Sequence, residues 1–219
     1  YIYEMHMDMS GGAAVIHTLA LAAKLKLKKN IVGLVPAVEN MPSGSSYRPG
    51  DVLRTISGKT IEVLNTDAEG RIILADALGY AKRYNPSAVI DIATLTGAAL
   101  VALGQRANAV FSRNPKLAQD LVTAGELSGD YAWELPLWEE YEGAVKGTFG
   151  DVTNIHNKKS RYEGSINGAV FLLQFAKDFK RWAHIDMAPR MEATSDEFLS
   201  PGAVGSPIPM LLRFLEKVR

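Results

Sequence analysis

The chain alternates short, almost wholly apolar runs with longer stretches of helical spacing, and that alternation admits few architectures. "NIVGLVPAV" (30–38), "SAVIDIATL" (87–95), "ANAVFSR" (107–113) and "WAHIDMA" (182–188) have the length and branched-residue content of strands buried on both faces. Between and around them, 10–27, 71–84, 115–127 and 207–218 carry apolar residues at helical intervals, and a further helix is expected over 168–180. "DVLRTISGKTIEVL" (51–64) predicts two short strands turned at Ser57-Gly58, and the opening residues up to Asp8 predict another strand. Strands that alternate with helices need crossovers. The expected fold is therefore α/β: a three-layer sandwich with a largely parallel mixed sheet flanked by helices. The 219 residues are 47% hydrophobic, enough for a sizeable core, and no linker divides them.

Composition removes several functions. Lys+Arg and Asp+Glu both number 24, so no net charge draws the chain to nucleic acid or an anionic membrane. Lys24, Lys26, Lys28 and Lys29 suit a solvated helix end, and Lys158-Lys159-Arg161 is the only other basic cluster. No apolar run approaches the roughly 20 residues of a membrane span. With no Cys, thiolate metal sites, disulfides and a Cys nucleophile are excluded, which agrees with a reducing, cytoplasmic setting. Neither His-Glu-x-x-His nor Gly-x-Ser-x-Gly occurs.

Chemistry concentrates at strand ends. Ligands of open α/β sheets sit beyond the carboxyl ends of strands. Three such ends are polar: Asp8, Asn65-Thr66-Asp67-Ala68-Glu69, and Thr94 to Gly97. In "LNTDAEGRIIL" (64–74), Asp67, Glu69 and Arg71 alternate where a strand ends and a helix begins. The plain reading is a capping box, Thr66-x-x-Glu69. The chemical reading is a metal centre, because carboxylates gathered in a crevice repel one another unless a cation neutralises them. All-oxygen ligands suit Mg²⁺, Mn²⁺ or Zn²⁺. Asp8 before Ser10-Gly11-Gly12 is either a second ligand or a helix cap. Glu4, His6 and Asp8 would share one strand face, where their directions diverge too far for a three-ligand set. His184 suits a core position, His17 a helix and His156 a polar loop.

"NTDAEGR" (65–71) resembles the signature of the leucyl aminopeptidase family of dinuclear metallopeptidases. "MDMSGGAAV" (7–15), "ENMPSG" (39–44), "RPGD" (48–51), "ATLTGA" (93–98) and "WAHIDMA" (182–188) resemble further family segments in the same order, nearly end to end. The resemblance implies a zinc-exopeptidase-like fold and a metal-dependent aminopeptidase that releases N-terminal, leucine-like residues from peptides. Asp67 would bind one metal, Asp8 the other, and Glu69 would bridge both. The ions would be Zn or Mn, with Mg or Co as variants. Arg71, the catalytic residue, would hold a bicarbonate-like anion as general base. Asn65, Thr94, Leu95 and Gly97 would line the peptide site. Met5, Ala188 and Met191 would help to form the pocket for the N-terminal side chain. Family members assemble as homo-hexamers, dimers of trimers, and the loops 150–168 and 192–209 are candidate contacts.

The departures from the family pattern shape the expectation as much as the matches do. The family also uses an upstream Gly-Lys-Gly lysine, an upstream Asp-Ser-Gly-Gly aspartate and a second upstream lysine, none of which occurs here. Residues 1–219 are therefore expected to be a catalytic domain incomplete at its N-terminal end. Alone, it would be a folded but inactive fragment or a binding module.

Overall fold

The computed structural model describes residues 2–158 and 160–217. Tyr1, Lys159, Val218 and Arg219 lie outside the described residues, and with Lys159 goes the middle of the Lys158-Lys159-Arg161 cluster. The elements run α1 (Ser10–Lys24), β1 (Val52–Arg54), β2 (Thr60–Glu62), α2 (Gly70–Ala81), β3 (Val89–Ala93), α3 (Gly97–Leu103), β4 (Asn108–Phe111) and α4 (Pro115–Ser128). There follow β5 (Ala132–Glu134), β6 (Val152–Thr153), α5 (Gly164–Ala176), β7 (Trp182–Asp186) and α6 (Ile208–Lys217).

The α/β class is as expected, with the strands shared between two sheets. One is 3-stranded in the order β1-β2-β6, the other 4-stranded in the order β3-β7-β4-β5. β3 and β7 pair in parallel, as do β4 and β5, while β4 runs antiparallel to β7. The alternation of side chains across the larger sheet makes the layers. Ala109, Phe111 and Trp182 enter one core cluster, with Ile72 of α2, Ala99 of α3 and Phe171 of α5. Val110, Ala183 and Ile185 point the other way, into a second cluster with Ala14 of α1, Leu121 of α4 and Phe214 of α6. A strand feeding both clusters must be apolar on both faces, and β7 is buried at all its residues. Burying a side chain the size of Phe111 or Phe171 stabilises by about 1.5–3 kcal/mol. No described helix is long and apolar enough to cross a membrane.

Local signals explain most boundaries. Asn114 caps α4 by accepting from the Leu117 N–H at 2.9 Å, and Pro115 follows at the first turn. The β1–β2 hairpin turns at Gly58, whose φ of +87° is open to glycine at no steric cost.

Two expected strands are absent. Residues Ile2–Met7 form a 3-10 helix, closed by the Asp8 N–H on the Met5 carbonyl at 2.9 Å. None of the described strands pairs with it, so the backbone satisfies itself locally. Residues four, six and eight therefore do not share a strand face. Residues 30–38 join neither sheet. Val32, Val35 and Val38 remain 53%, 38% and 66% exposed. A run patterned for burial on two faces forms a strand only when a neighbour supplies the ladder, and none of the described strands pairs with this one. Conversely, β5 and β6 are too short to announce themselves, and β6 lies within the stretch expected to be all loop. α5 starts at Gly164 rather than at 168.

Candidate active site

The turn from β2 to α2 carries no capping box. α2 begins at Gly70, and Glu69 at its N-cap makes no side-chain capping bond. The Asp67 N–H is instead taken by Asn65 Oδ1 at 3.0 Å. Neither carboxylate is used up in starting the helix. Asp8 is no cap either. Met9 is the N-cap of α1 and makes no capping bond, while Asp8 Oδ1 accepts from the Thr94 hydroxyl at 2.6 Å. That bond ties the segment before α1 to the loop after β3.

Asp8, Asp67, Glu69 and Arg71 all line one cleft of about 1270 Å³, together with Thr94 and Leu95. Its walls are mostly apolar: Val15 and Leu19 of α1, Leu34 and Ile31 of the extended segment, Ile73 and Leu74 of α2. The acids feel one another. Desolvation raises the Asp8 carboxyl above its ordinary value, opposed by the Thr94 hydrogen bond and reinforced by the charges of Asp67 and Asp186. Desolvation likewise raises Glu69, and Asp8 and Asp67 push it further while Arg71 pulls it back. Glu69 also raises the Tyr47 hydroxyl, second to burial.

Arg71 is the cationic counterweight. Burial lowers its pKa to about 10, so it stays protonated at neutral pH, held by Asp186 and Glu69. Nη1 donates to the Asn154 carbonyl at 2.9 Å. Nε is buried and has no hydrogen-bond partner among the described residues. An unused donor on a buried cation is suited to an anion. Gly168 keeps room beside it: a Cβ there would lie 3.5 Å from Nη2 and 3.0 Å from Leu95 Cδ2.

The carboxylates suit a hard divalent ion by chemistry, and their mutual repulsion gives such an ion something to neutralise. Their number falls short. Among the described residues, no three His, Asp or Glu side chains are grouped to hold one metal ion.

The other expected site residues are not among those that line this cleft. Asn65 and Gly97 are exposed, Met5 is 45% exposed within the first 3-10 helix, Ala188 is buried and Met191 half-buried. Two of these regions are joined by a residue that the sequence reading passed over. Asp186, fully buried at the end of β7, accepts from Leu95 N (3.0 Å), Thr96 N (3.4 Å) and Ala188 N (3.2 Å), and from the Thr96 hydroxyl (2.6 Å). Thr96 in turn caps α3 through the Ala99 N–H. An acid ending an apolar strand was the available signal, since a buried carboxylate must find several donors. His184 is a core residue as expected, fully buried, with Nδ1 2.5 Å from Asp91 Oδ1, while Trp182 donates to Oδ2 at 2.6 Å.

Comparison with known proteins shows the family. The family model for the cytosol aminopeptidase family, catalytic domain, matches residues 1–212. The chain belongs to the cytosol aminopeptidase family. It is 50% identical over 212 residues to a probable cytosol aminopeptidase of Azoarcus sp. (strain BH72), covering 97% of this chain and 41% of that one. It is also 50% identical over 215 residues to a probable cytosol aminopeptidase of Syntrophotalea carbinolica, covering 98% and 42%. The chain thus spans about two-fifths of the length of these family relatives. A solved structure, the bottromycin maturation enzyme BotP in complex with Mn, is similar with a TM-score of 0.85 and 34% identity, over 95% of this chain and 46% of that one.

Proposed function

We propose that this chain is a catalytic domain of a metal-dependent aminopeptidase that releases N-terminal residues, leucine-like ones foremost, from peptides. The observation that carries the reading is the cleft itself. Carboxylates from two separate segments meet there, beside a buried guanidinium with an unused donor. Asp67 and Glu69 would hold one divalent ion, Glu69 and Asp8 a second. Manganese is favoured by the Mn complex of the similar BotP structure, with zinc, magnesium or cobalt as alternatives. Such ions, when bound, polarise a scissile carbonyl and lower the pKa of a bound water.

The chain's own residues have distinct tasks. Thr94 fixes the rotamer of Asp8 by its hydroxyl. Arg71, whose Nε has no partner among the described residues, would hold a bicarbonate-like anion. Leu95, Asn65 and Gly97 border the peptide, and Met5, Ala188 and Met191 contribute to the pocket for its first side chain. Asp186 keeps the loops bearing Leu95 and Ala188 together.

The ligand count favours a second reading for this chain taken alone. With no group of three donors among the described residues, each ion would keep two side-chain ligands, fewer than the three or four such sites use. The remaining ligands belong, on this proposal, to the part of the relatives' length that these 219 residues do not span. The isolated domain would then be a folded, inactive fragment. The complete protein would be cytoplasmic and hexameric. The test is hydrolysis of leucine amide with Mn²⁺ by a protein of the relatives' full length, by its Glu69→Gln variant and by this chain. Turnover by the first alone supports the reading. Turnover that survives Glu69→Gln refutes the metal bridge.

A further inference from the structure

Asn154 is completely buried and follows β6 by one residue. Its N–H donates to the Glu62 carbonyl at 3.1 Å, extending the parallel pairing of β2 with β6, so the ladder sets its position. From there the side chain reaches back to the turn beyond β2. Oδ1 accepts from the N–H groups of Leu64 (2.8 Å) and Asn65 (3.3 Å). Nδ2 donates to the carbonyls of Asn65 (2.6 Å) and Ala68 (3.2 Å). The backbone carbonyl of Asn154 receives Nη1 of Arg71 (2.9 Å). Both N–H donors and both acceptor positions of the carboxamide are thereby used on the five residues Leu64–Ala68. The pattern also fixes which way the amide points, since a flip would set Nδ2 against two N–H groups.

The turn has few other restraints. Asn65 Oδ1 holds the Asp67 N–H, Asn40 Nδ2 reaches the Thr66 carbonyl at 3.2 Å, and no side chain caps α2. Yet Asp67 and Glu69 stand on it beside Asp8, and the three acids repel one another. A turn held only by its own bonds relieves that repulsion by splaying. A neutral amide braces it without adding charge. A carboxylate at 154 would face two carbonyls and add a fourth acid.

We propose that Asn154 is a positioning residue: it holds Leu64–Arg71 so that Asp67, Glu69 and the Arg71 guanidinium face the cleft together. The proposal rests on the metal-centre reading above. The test is a Mn²⁺ titration followed by electron paramagnetic resonance, with amide exchange by NMR. The chains are the 219-residue wild type, Asn154→Asp, Asn154→Ser and Glu142→Gln, the last disturbing ion pairs away from the turn. Expected is an affinity loss of about 10–100-fold for the Asn154 variants, typical of groups that orient ligands. Exchange at Leu64 and Asn65 should accelerate while β4 stays protected, and Glu142→Gln should bind Mn²⁺ like wild type. Asn154→Ser carries the test if Asn154→Asp does not fold. A folded variant that binds Mn²⁺ within twofold of wild type overturns the proposal, and so does failure of both variants to fold. If the wild type binds no Mn²⁺, two side-chain ligands per ion do not suffice in the isolated chain. The brace is then judged on exchange alone, supported by selective loss of protection at Leu64 and Asn65 and overturned by its absence.

Discussion

Gly11→Ala is the sharpest small perturbation of the scaffold that carries Asp8. α1 starts two residues after Asp8 and meets β3 almost without a gap. A Cβ at Gly11 would lie 2.3 Å from the Ile92 carbonyl oxygen, 2.7 Å from Ala93 Cα and 2.8 Å from Ile92 C. All three are backbone atoms of a strand paired along its length with β7, so none can rotate away. Real Cβ atoms essentially never approach closer than 3.0 Å, so the helix start must retreat by at least the missing 0.7 Å. Overpacking of this kind costs about 1–3 kcal/mol. Alanine's helix propensity returns at most about 1 kcal/mol. The net loss should be about 1–2 kcal/mol, which lowers Tm by about 2–8 °C in a chain of this length. Gly12→Ala meets only Val35 Cγ1, at 2.9 Å, a side-chain end that can turn, and should cost under about 1 kcal/mol. Gly97→Ala meets nothing within 4 Å and should stay within about 0.5 kcal/mol of wild type. Thermal melts by circular dichroism, backed by urea midpoints, give the order. A Gly11→Ala chain that melts with or above Gly97→Ala refutes the close approach of α1 to β3.

Three further outcomes follow from named contacts. Burial alone would raise the Glu142 carboxyl, but hydrogen bonds from Lys177, Gln174 and Arg113 outweigh it and hold the pKa at about 2 against an ordinary 4.5. A depressed pKa stabilises fully above pH 4.5 and fades as pH falls toward 2. The full shift would be worth about 3 kcal/mol, and a side chain 24% exposed warrants about 1–2 kcal/mol after screening. Glu142→Gln should therefore cost that much at pH 7 and progressively less from pH 4.5 downward, and urea unfolding that shows a constant difference would contradict the assignment. Asp186→Asn turns an amide toward donors that the carboxylate now satisfies. It should lose about 2–3 kcal/mol and speed amide exchange at Leu95, and unchanged Leu95 exchange would remove Asp186 from its role. Light scattering should show this domain as a trimer or hexamer, with Tyr162 and the fully exposed Phe198 on the candidate contact loops, and a strict monomer at high concentration would count against those contacts.

What the sequence showed and what it concealed divide along a physical line. Periodicity is local, so α1, α2, α4 and α6 stand close to their expected bounds, and β3, β4 and β7 fall inside their apolar runs. The Asn114-Pro115 start of α4 was legible because a cap lies next to what it caps. Strand formation depends on a neighbour, and there local reading failed: residues 30–38 have the pattern but no ladder, and β6 has a ladder with only two residues of pattern. The acids at the ends of elements were legible as chemistry. Their supports were not. Asn154 lies ninety residues from the turn it braces, and Asp186 as far from Thr96. Nothing in either neighbourhood says where its hydrogen bonds go.

The central claim is that Asp8, Asp67 and Glu69 together form one centre for divalent ions. Crystals of this chain soaked in Mn²⁺ and measured at the manganese absorption edge test it directly. The account predicts anomalous density in contact with the carboxylates of Asp67 and Glu69, and within reach of Asp8. It should be partly occupied, because among the described residues no three donors close around one point, and should vanish in Glu69→Gln. Manganese peaks only elsewhere on the surface, at concentrations that saturate binding in solution, would contradict it.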